Sequence, residues 1–480
     1  MATDRVAPHL INGVLIGSGQ HSTSYSPATG EPLGRFADAD RRLGEQAIDA
    51  AKTAYDSTDW RRDRRLRHRV LQQLADLVEA HTDELVHLLA EENGKTLGEA
   101  GFELSLTPGK LRYYAALALT DGGRAAEVRP GVHLRSAAEP VGVAGVIVPW
   151  NSPVVLSVRS FAPALAAGCT VVMKLAGQTG LVNGRLHEIL AQAADLPTGV
   201  INSVTESKDD VARLLVTSPD VAALSYTGST RVGRLIMAEA APTLKRLSLE
   251  LGGKTPMVVF DDANLDAAVP VLTAAVTTFA GQFCMTGSRI LAQSGIAARL
   301  RERLAEALGG VRVGPGTDPR SQMGPMIDAA NAARVDAEVD AAIGRGARAL
   351  VRGGRPEPAA RNGYYRPTLL EVADAHDPIV RQEVFGPVAT FETFDTEGQA
   401  IDLANATEYG LAASVWTRDV DRPVRVGRRL AAGTVWTNTW AVVEDQFEEG
   451  GFGQSGLGRL NGPGGLAEFQ EHKTYVHVVS

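Results

Sequence analysis

Cysteine is nearly absent: the 480 residues include only Cys169 and Cys284. Two thiols cannot build a disulfide framework or a cysteine-rich zinc site, and no metal centre is expected. A basic excess is also missing. Lys and Arg number 48 against 56 Asp and Glu, for a formal net charge of −8. General nucleic-acid binders are normally basic, so no nucleic-acid partner is expected. No run reaches the roughly 18 apolar residues that a membrane-spanning helix needs; the apolar stretch at 141–150 is too short and fits a buried strand. Residues 1–20 read MATDRVAPHLINGVLIGSGQ, with Asp4, Pro8 and His9 early and Asn12 inside the short apolar stretch. That pattern does not suit a secretory signal, so a cytoplasmic enzyme with no membrane partner is the expectation.

The composition that remains, 44% hydrophobic and 22% charged with 50 Gly and 24 Pro, is that of an ordinary globular protein. The length exceeds what one compact core usually spans, so more than one domain is expected. Helical periodicity is clear at 41–54 and at 66–93, where Val70, Leu71, Leu74, Leu77 and Val78 share one side before Gly94 ends the run. A further helix is predicted at 97–119, broken near Pro108. Residues 127–140, with Pro130-Gly131, read as an exposed hairpin. The rhythm then changes to strand 143–148, helix to 167, strand 170–174, helix to 194, strand 200–204, helix 209–216 and strand 222–226. Such βαβα alternation predicts an α/β fold with a parallel sheet covered on both faces. A second series follows Glu250, with strands near 257–260, 289–292 and 349–352 and helices at 265–279 and 298–308. Later pieces are strands at 388–393, 413–417, 434–437 and 474–479 and a helix at 399–405.

Chemistry is sought first at the cysteines. Cys169, in AAGCTVV at the start of a strand, reads as a small buried thiol. Cys284, in GQFCMTG between a helix and a strand, has small neighbours and room to react. Glu250 opens ELGGK, where two glycines permit close backbone approach by a ligand or water; the plainer reading is a surface turn ending a strand. Asn151 follows the apolar strand 143–148, and ligands bind at the carboxyl ends of strands in doubly wound sheets. Its amide suits either a developing oxyanion or a helix N-cap.

These residues belong to blocks that together resemble the NAD(P)-dependent aldehyde dehydrogenase superfamily. The blocks are PWN at 149–151, APALAAGCTVVMK at 162–174, YTGSTRVG at 226–233, ELGGK at 250–254, GQFC at 281–284, EVFGP at 383–387 and SGLGR at 455–459. They occur in family order over nearly the whole chain. The resemblance implies that Cys284 attacks the aldehyde carbonyl to form a thiohemiacetal, and that the Asn151 side chain and the Cys284 N–H hold the oxyanion. It implies a thioester after hydride loss, and Glu250 as general base for the water that hydrolyses it. The cofactor, NAD or NADP, would lie on Gly228, Ser229 and Gly233 at a helix N-terminus. Lys174 would reach the adenosine ribose and Trp150 would lie alongside. Glu383 would hold the nicotinamide ribose, with Phe385 and the Leu251 backbone near the ring. A literal G-x-G-x-x-A string at 462–467 follows no predicted strand and is read as unrelated.

Three departures stand out. Gly177 occupies a position where many NAD-preferring members carry Glu; losing that acid removes repulsion of a 2′-phosphate, so NADP tolerance is expected. Glu448-Glu449 replace a Pro-Phe pair before Gly450-Gly451, at a loop bordering the substrate entrance. Gly453 replaces a common Lys, for which no reading is offered. Arg159, on the helix that lines the family's substrate tunnel, is the candidate substrate residue: it suits a carboxylate or an aromatic ring, or else an ion pair with a nearby Glu. The expected substrate is an aromatic aldehyde or a carboxylated semialdehyde. The alternatives are a CoA-acylating enzyme, disfavoured by the retained Glu250, a non-catalytic member with a binding or structural role, and a cysteine hydrolase, for which no His motif is evident. The resemblance also implies a cofactor-binding domain at 1–119 and 140–251 and a catalytic domain at 252–451. An oligomerisation arm at 120–139, together with 452–480 and its terminal strand, implies a homodimer or homotetramer.

Overall fold

The computed structural model describes residues 6–120, 122–356 and 362–479. Residues 1–5, part of the stretch read above for a leader, and residue 121 of the expected arm lie outside the described residues, as does Ser480 at the end of the expected C-terminal segment.

Two α/β layers carry the molecule. The first is an eight-stranded sheet whose five central strands are all parallel: Arg246–Glu250, Val221–Thr227, Val143–Ile147, Thr170–Ala176 and Ile201–Glu206, in that spatial order. These strands are almost continuously buried, as a parallel sheet covered on both faces requires. One face is covered by Arg41–Ser57 and Asp210–Thr217, and the other by Arg64–Ala80, Leu97–Thr120 and Pro153–Ala167. Gly456–Leu457 joins this sheet antiparallel beside Arg246–Glu250, and His9–Ile11 with Val14–Ile16 closes the other edge.

The second sheet has seven strands, ordered Arg348–Val351, Thr368–Glu371, Val388–Phe394, Arg289–Gln293, Pro256–Val259, Ala412–Trp416 and Thr434–Thr437. All its pairings are parallel except that of the first two. A third, antiparallel sheet joins the hairpin Arg124–Arg129 and Val132–Pro140 to the terminal strand Gln470–Val478. No helix among the described residues is long and apolar enough to cross a membrane.

Several local expectations are corrected. The helix expected at 66–93 is two, Arg64–Ala80 and Thr82–Glu92, because His81 leaves helical geometry (φ −109°, ψ 14°). The helix at Leu97–Thr120 runs unbroken through Pro108. The proline deletes one amide donor, but Leu104, Leu111, Tyr114 and Ala115 are fully buried on either side of it, and packing carries the helix across. The helix Ala329–Gly344 and the strands before Ala37 were not anticipated. Ala329–Gly344 is so rich in alanine that its apolar face, Ala332, Val335, Val339 and Ala342, makes little contrast. Its legible signal is the N-cap, Asp328, whose carboxylate accepts from Asn331 N.

Candidate active site

The central parallel strands of the first sheet end where the loops of the second sheet meet them. Glu250 is the last residue of Arg246–Glu250, not a surface turn residue: it is 3% exposed. Across the sheet its register partners are Thr227 and Gly456, and its carbonyl accepts from Gly228 N at 3.0 Å. The carboxylate atom Oε1 has no hydrogen-bond partner among the described residues. Burial raises the Glu250 pKa to about 8; Arg159 opposes this and Glu449 adds to it.

The glycines that follow have identifiable neighbours. A side chain at Gly252 would meet Glu383 Oε2 at 2.5 Å, and one at Gly253 would collide with the Cys284 carbonyl. ELGGK is therefore the seam that lets the second-sheet loops carrying Cys284 and Glu383 press against the first sheet. The expected approach at these glycines, by a ligand or water, is made by protein.

Cys284 lies in the loop after the turn Thr278–Gly281, which follows Leu265–Thr277. The chain turns there through three successive left-handed residues, Phe279, Ala280 and Gly281 (φ +54°, +51° and +69°), and Gly281 lies directly against the Gly386 carbonyl, so GQFC and EVFGP interlock. The thiol is free and half-buried. It sits in an apolar cluster with Leu411, Trp436 and Trp440. The Phe283 ring stacks edge-on against Trp440 at 5.8 Å. Burial first, then the Glu449 carboxylate, hold the thiol's pKa well above its ordinary value, with Arg159 opposing.

Asn151 follows the strand Val143–Ile147 and is 6% exposed. It does not cap the next helix; Ser152 holds that position, and Glu103 Oε1 accepts from the helix donors Val154 N and Val155 N. Asn151 Nδ2 instead donates to Gln282 O at 3.0 Å. The amide of one sheet thus touches the cysteine loop of the other. Gln282, which sequence reasoning missed, anchors that loop: its Oε1 accepts from Ile327 N and its Nε2 donates to Phe279 O.

The expected cofactor residues come from both sheets: Trp150, Lys174, Gly177, Gly228, Ser229, Gly233 and Leu251 belong to the first, and Glu383 and Phe385 to a loop of the second. Ser229 caps the helix Thr230–Ala240 by accepting from Val232 N, and a side chain at Gly233 would meet Leu251 at 2.6 Å. This gives a helix N-terminus packed hard onto a strand end, a geometry suited to a pyrophosphate. Lys174 projects from Thr170–Ala176, its pKa lowered by burial and supported by Glu206. Glu383 accepts from Gly253 N at 3.1 Å, and burial raises its pKa to about 7. The Trp150 and Phe385 rings stand edge to face, 5.7 Å apart. At Gly177 even a Cβ would come within 2.5 Å of Ser207 Oγ. The chemistry of this set, cation, helix N-terminus and carboxylate, fits a dinucleotide.

Arg159 is 4% exposed. Its Nη1 pairs with Glu449 Oε1 at 2.8 Å and its Nη2 donates to Thr227 Oγ1 at 2.9 Å. Of the readings offered for it, the ion pair with a glutamate is the one seen. Cys169 is fully buried beneath Phe469 O, and burial pushes its thiol up to about 11.

Residues 16–475 match the Aldehyde dehydrogenase family. The chain is 37% identical to betaine aldehyde dehydrogenase of Bacillus subtilis (strain 168), over 93% of this chain and 92% of that protein. It is also 37% identical to the succinate-semialdehyde dehydrogenase [NADP(+)] of Escherichia coli (strain K12), over 97% and 96%. Among solved structures, betaine aldehyde dehydrogenase of Staphylococcus aureus in complex with NAD+ superposes with a TM-score of 0.96 at 33% identity, covering 98% of this chain and 95% of that one. Agreement in sequence and fold along nearly the whole length means that this chain belongs to the aldehyde dehydrogenase family.

Proposed function

We propose that the protein oxidises an aldehyde to the carboxylic acid with NAD(P)+, through a thiohemiacetal and a thioester on Cys284. The observation that carries this reading is the convergence of a half-buried thiol, a buried carboxylate and a buried amide at the junction of the two sheets. The Cys284 thiol gives up its proton to solvent, and the thiolate sulfur adds to the carbonyl carbon. The oxyanion that forms is stabilised by the Asn151 amide, which already bonds within the cysteine loop, and by the Cys284 N–H. NAD(P)+, when bound, accepts the hydride. Glu250 then takes a proton from water, whose oxygen attacks the thioester and releases the acid and the thiol. The free Oε1 of Glu250 suits this task.

Cofactor contacts are assigned on the same reading. The N-terminus of Thr230–Ala240, with Gly228, Ser229 and Gly233, takes the pyrophosphate. Lys174 takes the adenosine ribose and Glu383 the nicotinamide ribose, with Trp150, Phe385 and Leu251 alongside. No acid stands at Gly177, which favours tolerance of NADP. Residues 1–119 and 140–251 then form the cofactor unit and 252–451 the catalytic unit. The hairpin sheet is the arm of a homodimer or homotetramer in a cytoplasmic enzyme.

The test is initial-rate oxidation of a panel of aldehydes with each cofactor, followed by nicotinamide absorbance, for the wild-type protein and Cys284→Ala. Loss of all oxidation in the variant is expected. Undiminished activity in Cys284→Ala would refute the scheme, and a very strong NAD preference would sink the NADP expectation.

A further inference from the structure

Arg159 and Glu449 come from distant parts of the chain and meet beside the candidate catalytic residues. Arg159 sits within the helix Pro153–Ala167, and its guanidinium donates to Thr227, the strand partner of Glu250. Glu449 is held by both of its oxygens. Oε1 takes Arg159 at 2.8 Å, and Oε2 accepts from Asn461 Nδ2 at 3.1 Å. Asn461 Oδ1 accepts in turn from Lys110 Nζ at 2.7 Å, and Lys110 pairs with Asp445. The Glu449 backbone is pinned too, exchanging hydrogen bonds with Leu460 at 2.7 and 2.8 Å. Both side chains of the pair are nearly enclosed.

Such a pair is not free to open for a ligand. A carboxylated aldehyde reaching for Arg159 would have to displace a fixed carboxylate or lie beside it. Like charges at one desolvated site repel, and specificity is often set by such a repulsive element rather than by a new attraction. An uncharged tail meets a wall whose charge is already cancelled.

We propose that Glu449 is a specificity-determining residue, which cancels Arg159 and makes the site select aldehydes with uncharged tails against carboxylated ones. This rests on the aldehyde-oxidising reading and narrows its substrate class. It also gives a physical meaning to one departure, the acid at 449 where the family carries Phe, by tying it to the arginine of the helix Pro153–Ala167.

The experiment compares kcat/KM for matched pairs: benzaldehyde against 4-formylbenzoate, and butanal against succinic semialdehyde. The wild-type protein should favour the uncharged member by about tenfold or more, and Glu449→Gln should move the ratio at least about tenfold toward the carboxylated member. Adding Arg159→Met in that background should abolish the shift. A wild-type preference for the carboxylated members, or a folded Glu449→Gln protein with its ratio unmoved, overturns the proposal. If circular dichroism shows Glu449→Gln unfolded, the apolar double variant Arg159→Met/Glu449→Met decides. A ratio within about threefold of wild type supports the proposal, whereas a roughly tenfold rise in preference for the uncharged member shows that Arg159 recognised the carboxylate and overturns it. Oxidation of none of the four aldehydes with either cofactor defeats the functional reading itself, and this inference with it.

Discussion

At the scale of single residues, burial sets the proton affinities on which the proposed chemistry depends. Glu250 ends a strand whose last three residues are buried, and its pKa stands near 8. A carboxyl group acts as a base only when ionised, so the active fraction grows as pH rises through about 8. Cys284 is shifted the same way, and its thiolate also becomes more abundant as pH rises. The steady-state rate should therefore climb from pH 6 toward 9 rather than peak near neutrality. Glu250→Gln should lower kcat by about 10²–10⁴-fold and remove the part of the pH dependence that Glu250 contributes. A flat profile in the wild-type protein would contradict this assignment. Asn151→Ala should cost about 2.7–4 kcal/mol of barrier, roughly 10²–10³ in kcat, if its amide holds the oxyanion. A change confined to KM would instead indicate that the Asn151–Gln282 bond only shapes the loop. Cys284, Glu250 and Asn151 were all singled out in the sequence, because a thiol, a carboxylate and an amide in such motifs have short signatures. Gln282 was not, since its side chain ties the loop backbone at Phe279 to Ile327 N, 45 residues away, and no local pattern marks that.

At the scale of elements, the parallel sheets were readable because buried strands and amphipathic helices alternate at characteristic lengths. Pro108 shows where such reading fails. Local chemistry predicts a break, but burial on both sides of the proline outweighs one lost hydrogen bond. Two glycine seams join the elements of the site. At Gly281 both the left-handed backbone and the contact with Gly386 exclude a side chain. Gly281→Ala should destabilise the fold by about 1–3 kcal/mol and displace the cysteine loop. A lowered Tm together with a reduced kcat is expected, and a variant with wild-type values of both would contradict the seam. The buried histidines make a second test. His187 bonds Pro8 O and Ser203, and its ring lies 6.5 Å from that of His9. Burial lowers their pKa values to about 4 and 3. The unfolded chain binds protons at these sites from about pH 6.5 downward while the folded chain does not, so stability is lost as pH falls from there toward 4. Tm should drop between pH 7 and 5, and by less in His9→Phe. An equal drop in both proteins would assign the acid sensitivity elsewhere.

For the whole molecule, the arm sheet poses the assembly question. Val476 and Val478 on the terminal strand are exposed, and the sheet pairs one end of the chain with a hairpin from its first third. Sedimentation should show a dimer or tetramer, and a monomer at micromolar concentration would count against the arm. Short-range chemistry was enough to mark the α/β class and the succession of strands and helices, because periodicity acts over a few residues, whereas the proposed role of Cys284 came from the family resemblance of its block. The scarcity of cysteine had the same reach: it left only two thiols to weigh, Cys169, which is buried, and Cys284, which is the proposed nucleophile. What the tertiary structure decided lies at contacts between remote segments. It assigned the ELGGK glycines to the Cys284 and Glu383 loops, gave the Asn151 amide its partner, and, of the readings left open for Arg159, paired it with a glutamate, Glu449. Those outcomes depend on which desolvated charges and close-packed backbones face one another, and only the folded chain brings residues 159 and 449 within 2.8 Å.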